Sequence, residues 1–553
     1  MTPIEALLHI LREEGVRHIF GNPGTTELPF IDALAEQSDL DYLLAVQELS
    51  AVAMADGYAR ATGRPSFVSL HVAAGVANGL IGMLNASRSR TPMVITAGQQ
   101  DRRHLAQDPM LAGDLVGLAA AATKHASEVQ HARDLPVALR RAFALARQPP
   151  AGPVLLSVPM DLLAEDVDVP VLGRSVARPA GAATGIGDAA DLLVGASRPA
   201  IVAGDGVGRD RAMAELVALA EEIGAVVYHQ PMNDGVNFPG NHPLYREMLR
   251  PTNAAINTAL AGHDVVFVVG CHAFMPHHYS PGPAIPVGAV VVQLDVDPAE
   301  IGRNFAVEVG LVGALGSSLT ALTAELVGRV PDAAARLSRA GAAGSARWAG
   351  VEAEALAAYG SAPLRPLAAA HAVASGLPAD AVVIEEAITV GLKLRGVLRQ
   401  DRPRSYVHTV GGGLGWGIGA AIGSRLGNPD RPVVAVLGDG SAMFGIQGLW
   451  SAARYRVPVT FVVMNNGEYR TLKETLDTNK SRSTLVGRYV GLDLAPPELN
   501  WTRAADFFGI ASVRVGDADE LRDIVAGSAD RDAPLVVDVP VLGHAAENGR
   551  PRR

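Results

Sequence analysis

The sequence predicts an α/β protein of three domains, each built on a doubly wound, mainly parallel sheet. Three observations carry that prediction. Short, unbroken runs of β-branched and other apolar residues recur along the chain, separated by longer helical patterns. The runs show no polar–apolar alternation, which is how strands covered on both faces read. The chain has 553 residues, too many for one core, which implies about three domains of roughly 150–200 residues each.

The runs are Phe67–Leu70, Met93–Thr96, Val154–Val158, Ala200–Ala203, Val265–Val269, Val433–Leu437 and Val459–Val463. Two stretches interrupt the pattern. Residues 168–190 are rich in Pro, Ala and Gly, and residues 331–365 are Ala-rich, which favours partial helix there. The domains are therefore expected at 1–170, 185–330 and 360–545. No short repeat is visible, although the first and third domains could share a fold without shared sequence. The N-terminal stretch from Met1 to Glu14 has early acids and no basic head, so it reads as an amphipathic helix rather than a signal peptide.

Composition excludes several classes. Apolar residues make up 48% and charged residues 19%, which suits a soluble globular chain. A net charge of −10 argues against non-specific nucleic-acid binding. No apolar run approaches the roughly 20 residues that span a bilayer. The single cysteine, Cys271, rules out an intrachain disulfide and fits a reducing compartment, so a cytoplasmic location is expected. The Arg550-Pro-Arg-Arg tail is expected to fray.

The strongest chemical signal is Gly438-Asp439-Gly440-Ser441, placed directly after an apolar strand. A helical pattern over 443–454 and a second buried strand, 457–464, follow, and that strand ends at Asn465-Asn466-Gly467. A right-handed β-α-β unit puts both strand ends on one side of a parallel sheet, where open α/β sheets bind ligands. Asp439 offers a carboxylate, Asn466 an amide oxygen, and the turn after it a backbone carbonyl from Glu468. This oxygen set suits Mg2+ (or Ca2+), with phosphate and water as the remaining ligands. Gly438 and Gly440 let main-chain N–H groups approach a phosphate, and Ser441 sits at a helix start that favours an anion.

Together these residues resemble the signature of the thiamine-diphosphate-dependent enzymes, and within that family the chain is most similar to the benzoylformate decarboxylases. The resemblance covers nearly the whole chain. It includes Phe20-Gly-Asn-Pro-Gly-Thr-Thr-Glu-Leu-Pro-Phe30, Gln47-Glu48, Ala55-Asp-Gly-Tyr-Ala59, Leu70-His-Val-Ala-Ala-Gly75, Thr96-Ala-Gly-Gln-Gln100, Gly412-Gly-Leu-Gly415 and Ala420-Ala-Ile-Gly423. It implies thiamine diphosphate with Mg2+ as cofactors. It also implies a pyrimidine-binding first domain, a middle domain, and a third domain that binds diphosphate and metal.

By the same resemblance, Glu48 is the carboxyl group that polarises the cofactor's pyrimidine, a task that burial assists. Leu414, flanked by Gly412 and Gly413, is the apolar wedge under the bent cofactor. Thr389 and Tyr469 line the cofactor site. His71 and His277 match catalytic histidines, with His278 and His272 as neighbours of the latter, and Thr25 matches a hydroxyl that bonds substrate. The implied reaction is non-oxidative decarboxylation of a 2-oxo acid to an aldehyde and CO2, with carboligation as a side activity. A carboligase of the acetohydroxyacid synthase or 2-hydroxyacyl lyase type, and a scaffold protein descended from such an enzyme, are the alternatives. Because Glu48 would serve a cofactor held by another subunit, a homodimer or a dimer-of-dimers tetramer is implied, with no nucleic-acid or membrane partner.

Three features modify the reading. Two aromatic positions of the relatives' phenyl pocket fall on His408 and Thr475, which makes the pocket more polar, and a hydroxyl-bearing position near the diphosphate falls on Ile388, beside Thr389. Arg470 and Lys473 could attract an anionic group or form a solvated helix face. Gly204-Asp-Gly-Val-Gly208 hints at a dinucleotide turn, but Arg209 stands where its last glycine would be, so a plain strand–helix turn is expected. Some family members bind FAD in the middle domain, and nothing in this segment calls for it.

Overall fold

The computed structural model describes residues 1–177 and 180–547; the Arg550–Arg553 tail lies outside the described residues. Among the described residues, eighteen strands form three six-stranded sheets, in agreement with the predicted fold class. The first sheet contains β1 (His18–Gly21), β2 (Asp41–Leu44), β3 (Ser66–Leu70), β4 (Met93–Gln99), β5 (His125–Glu128) and β6 (Pro153–Pro159). The second contains β7 (Pro199–Ala203), β8 (Val226–His229), β9 (Tyr245–Met248), β10 (Val265–Val269), β11 (Val290–Asp295) and β12 (Val309–Val312). The third contains β13 (Val382–Glu386), β14 (Tyr406–His408), β15 (Val433–Gly438), β16 (Val459–Asn465), β17 (Ala511–Arg514) and β18 (Leu535–Pro540). Every apolar run picked out in the sequence lies in a strand, and central strands such as β3, β4, β10 and β15 are buried almost throughout.

The first sheet has the order β2-β1-β3-β4-β6-β5 and the third β14-β13-β15-β16-β18-β17. These are the same topology displaced by one domain. In this doubly wound arrangement the strand order reverses between the first and third strands, and ligands bind at the carboxyl ends there. The switch points are thus β1/β3 and β13/β15. The second sheet runs β12-β11-β10-β7-β8-β9, which is the dinucleotide-fold order with its switch point at β7/β10.

Two compact units emerge. The first joins residues 1–176, 359–392 and the chain from 409 onward; the second comprises residues 177–358, of which 180–358 are described after the gap, and 393–408. Within the first unit, the helix after β2 (Glu48–Thr62) packs along the helix Trp416–Gly427. Small residues at four-residue spacing make this possible. Methyl groups added at Gly57 and Gly423 would overlap the carbonyls of Ala420 and Met54, and one at Gly419 would lie 2.7 Å from Ala53 Cβ. The backbones therefore touch, as ridges at i±4 spacing allow when side chains are small. Trp416 Nε1 donates to the buried Asp56 carboxylate (2.5 Å) across this seam.

The Ala-rich stretch read as a partly helical connector forms one long helix, Ala333–Ala357. The N-terminal helix Pro3–Glu13 is amphipathic and opens with a capping box from Thr2 and Glu5. No described helix is long and apolar enough to cross a membrane.

Candidate active site

At the β1/β3 switch point, β1 ends at Gly21 and β3 at Leu70, paired Gly21 to Ser69. His71 follows β3 and caps the helix Val72–Arg88. Its Nδ1 lies 2.9 Å from Glu27 Oε2 and 3.1 Å from Thr26 Oγ1. Glu27 is buried, and its carboxylate also accepts from the main-chain N–H of Gly24 (2.9 Å) and Gly98 (2.9 Å) and from the Thr26 hydroxyl (2.7 Å). A carboxylate only accepts, so His71 Nδ1 carries the proton and Nε2 is the nitrogen free to exchange one. The ring presses against Gly24, where any side chain would overlap it. Val72 has φ 43°, a left-handed conformation strained for a β-branched residue, and this strain sits directly beside the histidine.

Glu48 opens the helix after β2 and is buried. Asn22 Nδ2 donates to its Oε1 (3.3 Å) and Asn78 Nδ2 to its Oε2 (3.0 Å). Asn78 lies about two turns into the helix that His71 caps, so one helix start organises both groups. Thr25 is exposed on the turn Thr25–Glu27, while its neighbour Thr26 is the hydroxyl that meets His71.

At the β13/β15 switch point, Glu386 pairs with Leu437. At and beyond the strand ends lie Thr389, Gly438–Ser441 from the end of β15, and Asn465–Tyr469 from the end of β16. Asp439 is buried, and its carboxylate accepts from the N–H groups of Gly440 (2.8 Å), Asn466 (3.0 Å) and Gly467 (2.6 Å). Burial pushes this carboxyl up to about 6 against the pull of those donors. All three partners are main-chain N–H groups, so lone pairs remain for a hard cation. Asn466 Oδ1 accepts from Glu468 N (3.0 Å), which shapes the turn. The Glu468 carboxylate is held by Lys473 and His544, which leaves the residue its main-chain carbonyl to offer. Tyr469 packs on Gly440, where a methyl would come within 2.7 Å of the ring. Thr389 Oγ1 meets Thr471 Oγ1 at 2.7 Å. The helical pattern expected over 443–454 is two short helices, Asp439–Phe444 and Gly448–Arg454.

Gly412 adopts φ 76°, and Leu414 is half-buried. Asn85, fully buried, donates to Gly413 O (2.8 Å) and accepts from Gly413 N (3.0 Å), clamping this loop. Glu386 accepts from Trp416 N and Gly417 N (3.0 Å each) at the start of the next helix, and burial pushes its carboxyl up to about 8.

Arg470 and Lys473 do not form a solvated face. Both are buried, Arg470 against Glu474 and the Leu542 carbonyl, and Lys473 against Glu468 and Asp493. Thr475 bonds back to Thr471 O. His277, His278 and His408 belong to the second unit. There His277 Nδ1 and His278 Nε2 lie 3.0 Å apart and both residues are exposed, His272 bonds to Glu300 (2.7 Å), and His408 is buried. At the β7/β10 switch point the glycines serve close packing: a methyl on Gly206 would lie 2.8 Å from Gly270 Cα. Asp205 is consumed by Gln230 (2.6 Å), Asn237 (2.7 Å) and Asp234 N (2.9 Å).

Glu27, Thr26, Asn78 and Asn85 were not singled out from the sequence. Glu27 lies inside the Phe20–Phe30 stretch, where it reads as an ordinary acid at a helix start, and only the fold carries His71 to it.

Comparison with known proteins places these features in context. Residues 1–120 match the N-terminal TPP-binding domain of thiamine pyrophosphate enzymes, 186–322 the central domain, and 390–539 the C-terminal TPP-binding domain. Benzoylformate decarboxylase of Pseudomonas aeruginosa is 34% identical over 547 residues, covering 98% of each chain. The acetolactate synthase large subunit of Parasynechococcus marenigrum is 30% identical, covering 97% of this chain and 87% of that one. Among solved structures, the thiamine diphosphate-dependent 4-hydroxybenzoylformate decarboxylase of Rhodococcus jostii RHA1 has a TM-score of 0.84 at 30% identity, covering 98% of this chain and 99% of that one.

Proposed function

We propose that this chain, which belongs to the family of thiamine pyrophosphate enzymes, decarboxylates a 2-oxo acid without oxidation, releasing an aldehyde and CO2. The observation that carries this reading is the imidazole of His71, tautomerically locked by buried Glu27 and organised by the same helix start as Glu48. A decarboxylase must deliver a proton to the reacting carbon after CO2 departs and remove one before product leaves, and a locked histidine suits both steps near neutral pH.

Thiamine diphosphate supplies the nucleophilic carbon and the electron sink when bound. Asp439, Asn466 and the Glu468 carbonyl would hold Mg2+, and Gly438, Gly440, Ser441 and Thr389 the diphosphate. Leu414, seated by Gly412 and Gly413, and Tyr469 would fix the cofactor's posture. Glu48, oriented by Asn22 and Asn78, would share a proton with the pyrimidine ring. His71 would move protons at Nε2, and Thr25 would bond the substrate carboxylate. Because Arg470 and Lys473 are already paired, they offer no cation to a second substrate carboxylate. A monoanionic 2-oxo acid of benzoylformate type is therefore proposed. The enzyme would act as a homodimer or a dimer-of-dimers tetramer in the cytoplasm.

The similarity to acetolactate synthases favours a second reading, carboligation. Incubating the holoprotein with benzoylformate, branched 2-oxo acids and pyruvate separates the two. Free aldehyde with stoichiometric CO2 is expected; acetolactate from pyruvate with no aldehyde would overturn the decarboxylase reading. Glu48→Gln should lose at least about 100-fold in rate, the scale of acid–base contributions, and full activity would refute its assignment.

A further inference from the structure

Glu468 stands in the proposed metal turn, yet its carboxylate is already engaged by protein donors. Lys473 Nζ donates to Oε2 at 2.5 Å, and the main-chain N–H of His544 donates to Oε1. Lys473 is buried and also reaches Asp493 (2.5 Å), while its ammonium sits 5.7 Å from the Tyr489 ring centre. His544 is itself buried, and its Nε2 lies 2.9 Å from Asp477 Oδ2. Asp477 Oδ1 in turn accepts from Thr484 (2.8 Å) and from the Tyr489 hydroxyl. Arg470, one turn before Glu474, donates to the Leu542 carbonyl (2.6 Å). Two chain segments outside the turn 465–469 thus bond this carboxylate directly, the helix Arg470–Thr478 through Lys473 and the stretch after β18 through His544, while the segment 481–493 braces them through Asp493, Thr484 and Tyr489.

We propose that Lys473 and His544 are positioning residues for cofactor loading. By pinning the Glu468 side chain, they hold its main-chain carbonyl in the metal set and so govern how tightly and how long metal and diphosphate are retained. The proposal rests on the reading of Asp439, Asn466 and Glu468 as the metal site. Its physical basis is that a turn with one side chain tied to two separate segments has few alternative conformations, so little ordering remains for the cofactor to impose on binding. Groups that orient ligands in this way commonly change metal affinity by about 10–100-fold.

The test uses full-length apoprotein with thiamine diphosphate and Mg2+. Cofactor Kd is read by tryptophan fluorescence, dissociation rate by dilution into chelator, and Tm by apoprotein melting. Lys473→Met should weaken cofactor binding about 10–100-fold and speed release. Pairing it with Glu468→Gln removes the stranded charge; that double variant should recover the apoprotein Tm but not the affinity. Asp477→Asn frees His544 without burying a new charge, and should weaken binding in the same direction by a smaller factor even if Lys473→Met folds poorly. Wild-type Kd and release rate in Lys473→Met or Asp477→Asn would overturn the proposal, as would full recovery of affinity in the double variant. Asp439→Asn separates the two layers: unchanged Mg2+-dependent binding there would overturn the metal reading itself.

Discussion

His71 Nδ1 is bonded to Glu27 Oε2 at 2.9 Å, across 44 residues of sequence, and the same buried carboxylate is held by the N–H groups of Gly24 and Gly98. The carboxylate is therefore positioned by the backbone before it positions the histidine. Replacing Glu27 with Gln keeps the size and removes the obligatory acceptor, so the ring can take the wrong tautomer. His71→Ala is expected to lower kcat by about 100- to 10,000-fold and Glu27→Gln by part of that range. Steady-state CO2 release, measured beside cofactor Kd, checks this; a Glu27→Gln enzyme with wild-type kcat would remove Glu27 from the mechanism.

Asn85 satisfies both main-chain groups of Gly413 with one side chain. Asn85→Ala strands them and should cost about 1–3 kcal/mol in stability. It should also loosen the loop that carries Leu414. Lower Tm together with weaker thiamine diphosphate binding is the expected pair of results; a lower Tm with unchanged binding would confine Asn85 to stability.

Gly423 lies where any side chain would overlap the Met54 carbonyl. Gly423→Ala must push the helices Glu48–Thr62 and Trp416–Gly427 apart, and overpacking of this kind costs about 1–3 kcal/mol or more. A drop in Tm of several degrees is expected, with further loss in a Gly57→Ala, Gly423→Ala pair. A Tm equal to wild type would mean that the seam adjusts freely.

Glu386 gives a pH signature. Its carboxyl is raised by burial from the ordinary 4.5 to about 8. Between those values the folded chain holds a proton that the unfolded chain has released, so stability present at low pH is lost as pH rises toward 8. The slope contributed is at most about 1.4 kcal/mol per pH unit. Glu386→Gln, which resembles the protonated acid, should flatten the fall of Tm with pH across that window. Parallel Tm–pH profiles for variant and wild type would sink the assignment.

The alternation of apolar runs and helical patterns determined the three sheets, because a strand covered on both faces must be apolar without a break. The spacing of Asp439 and Asn466 likewise determined that both would stand at neighbouring strand ends, since a short crossover allows little else. Other features were decided only by the fold. Arg470 and Lys473 read either as groups that attract an anion or as a solvated face, because a helix face of charges is compatible with both. Burial against Glu468 and Asp493 depends on how the segments 481–493 and 541–544 return to that helix. Glu27 became the partner of His71 because β1 and β3 are neighbours at a switch point, and Asn85 met Gly413 because the glycine seam brings the two domains into contact. The sequence by itself determined the fold class and the cofactor signature, both written in local periodicity and short motifs. The tertiary structure alone decided which buried acids orient which groups, because those pairings span long sequence separations and leave no local pattern.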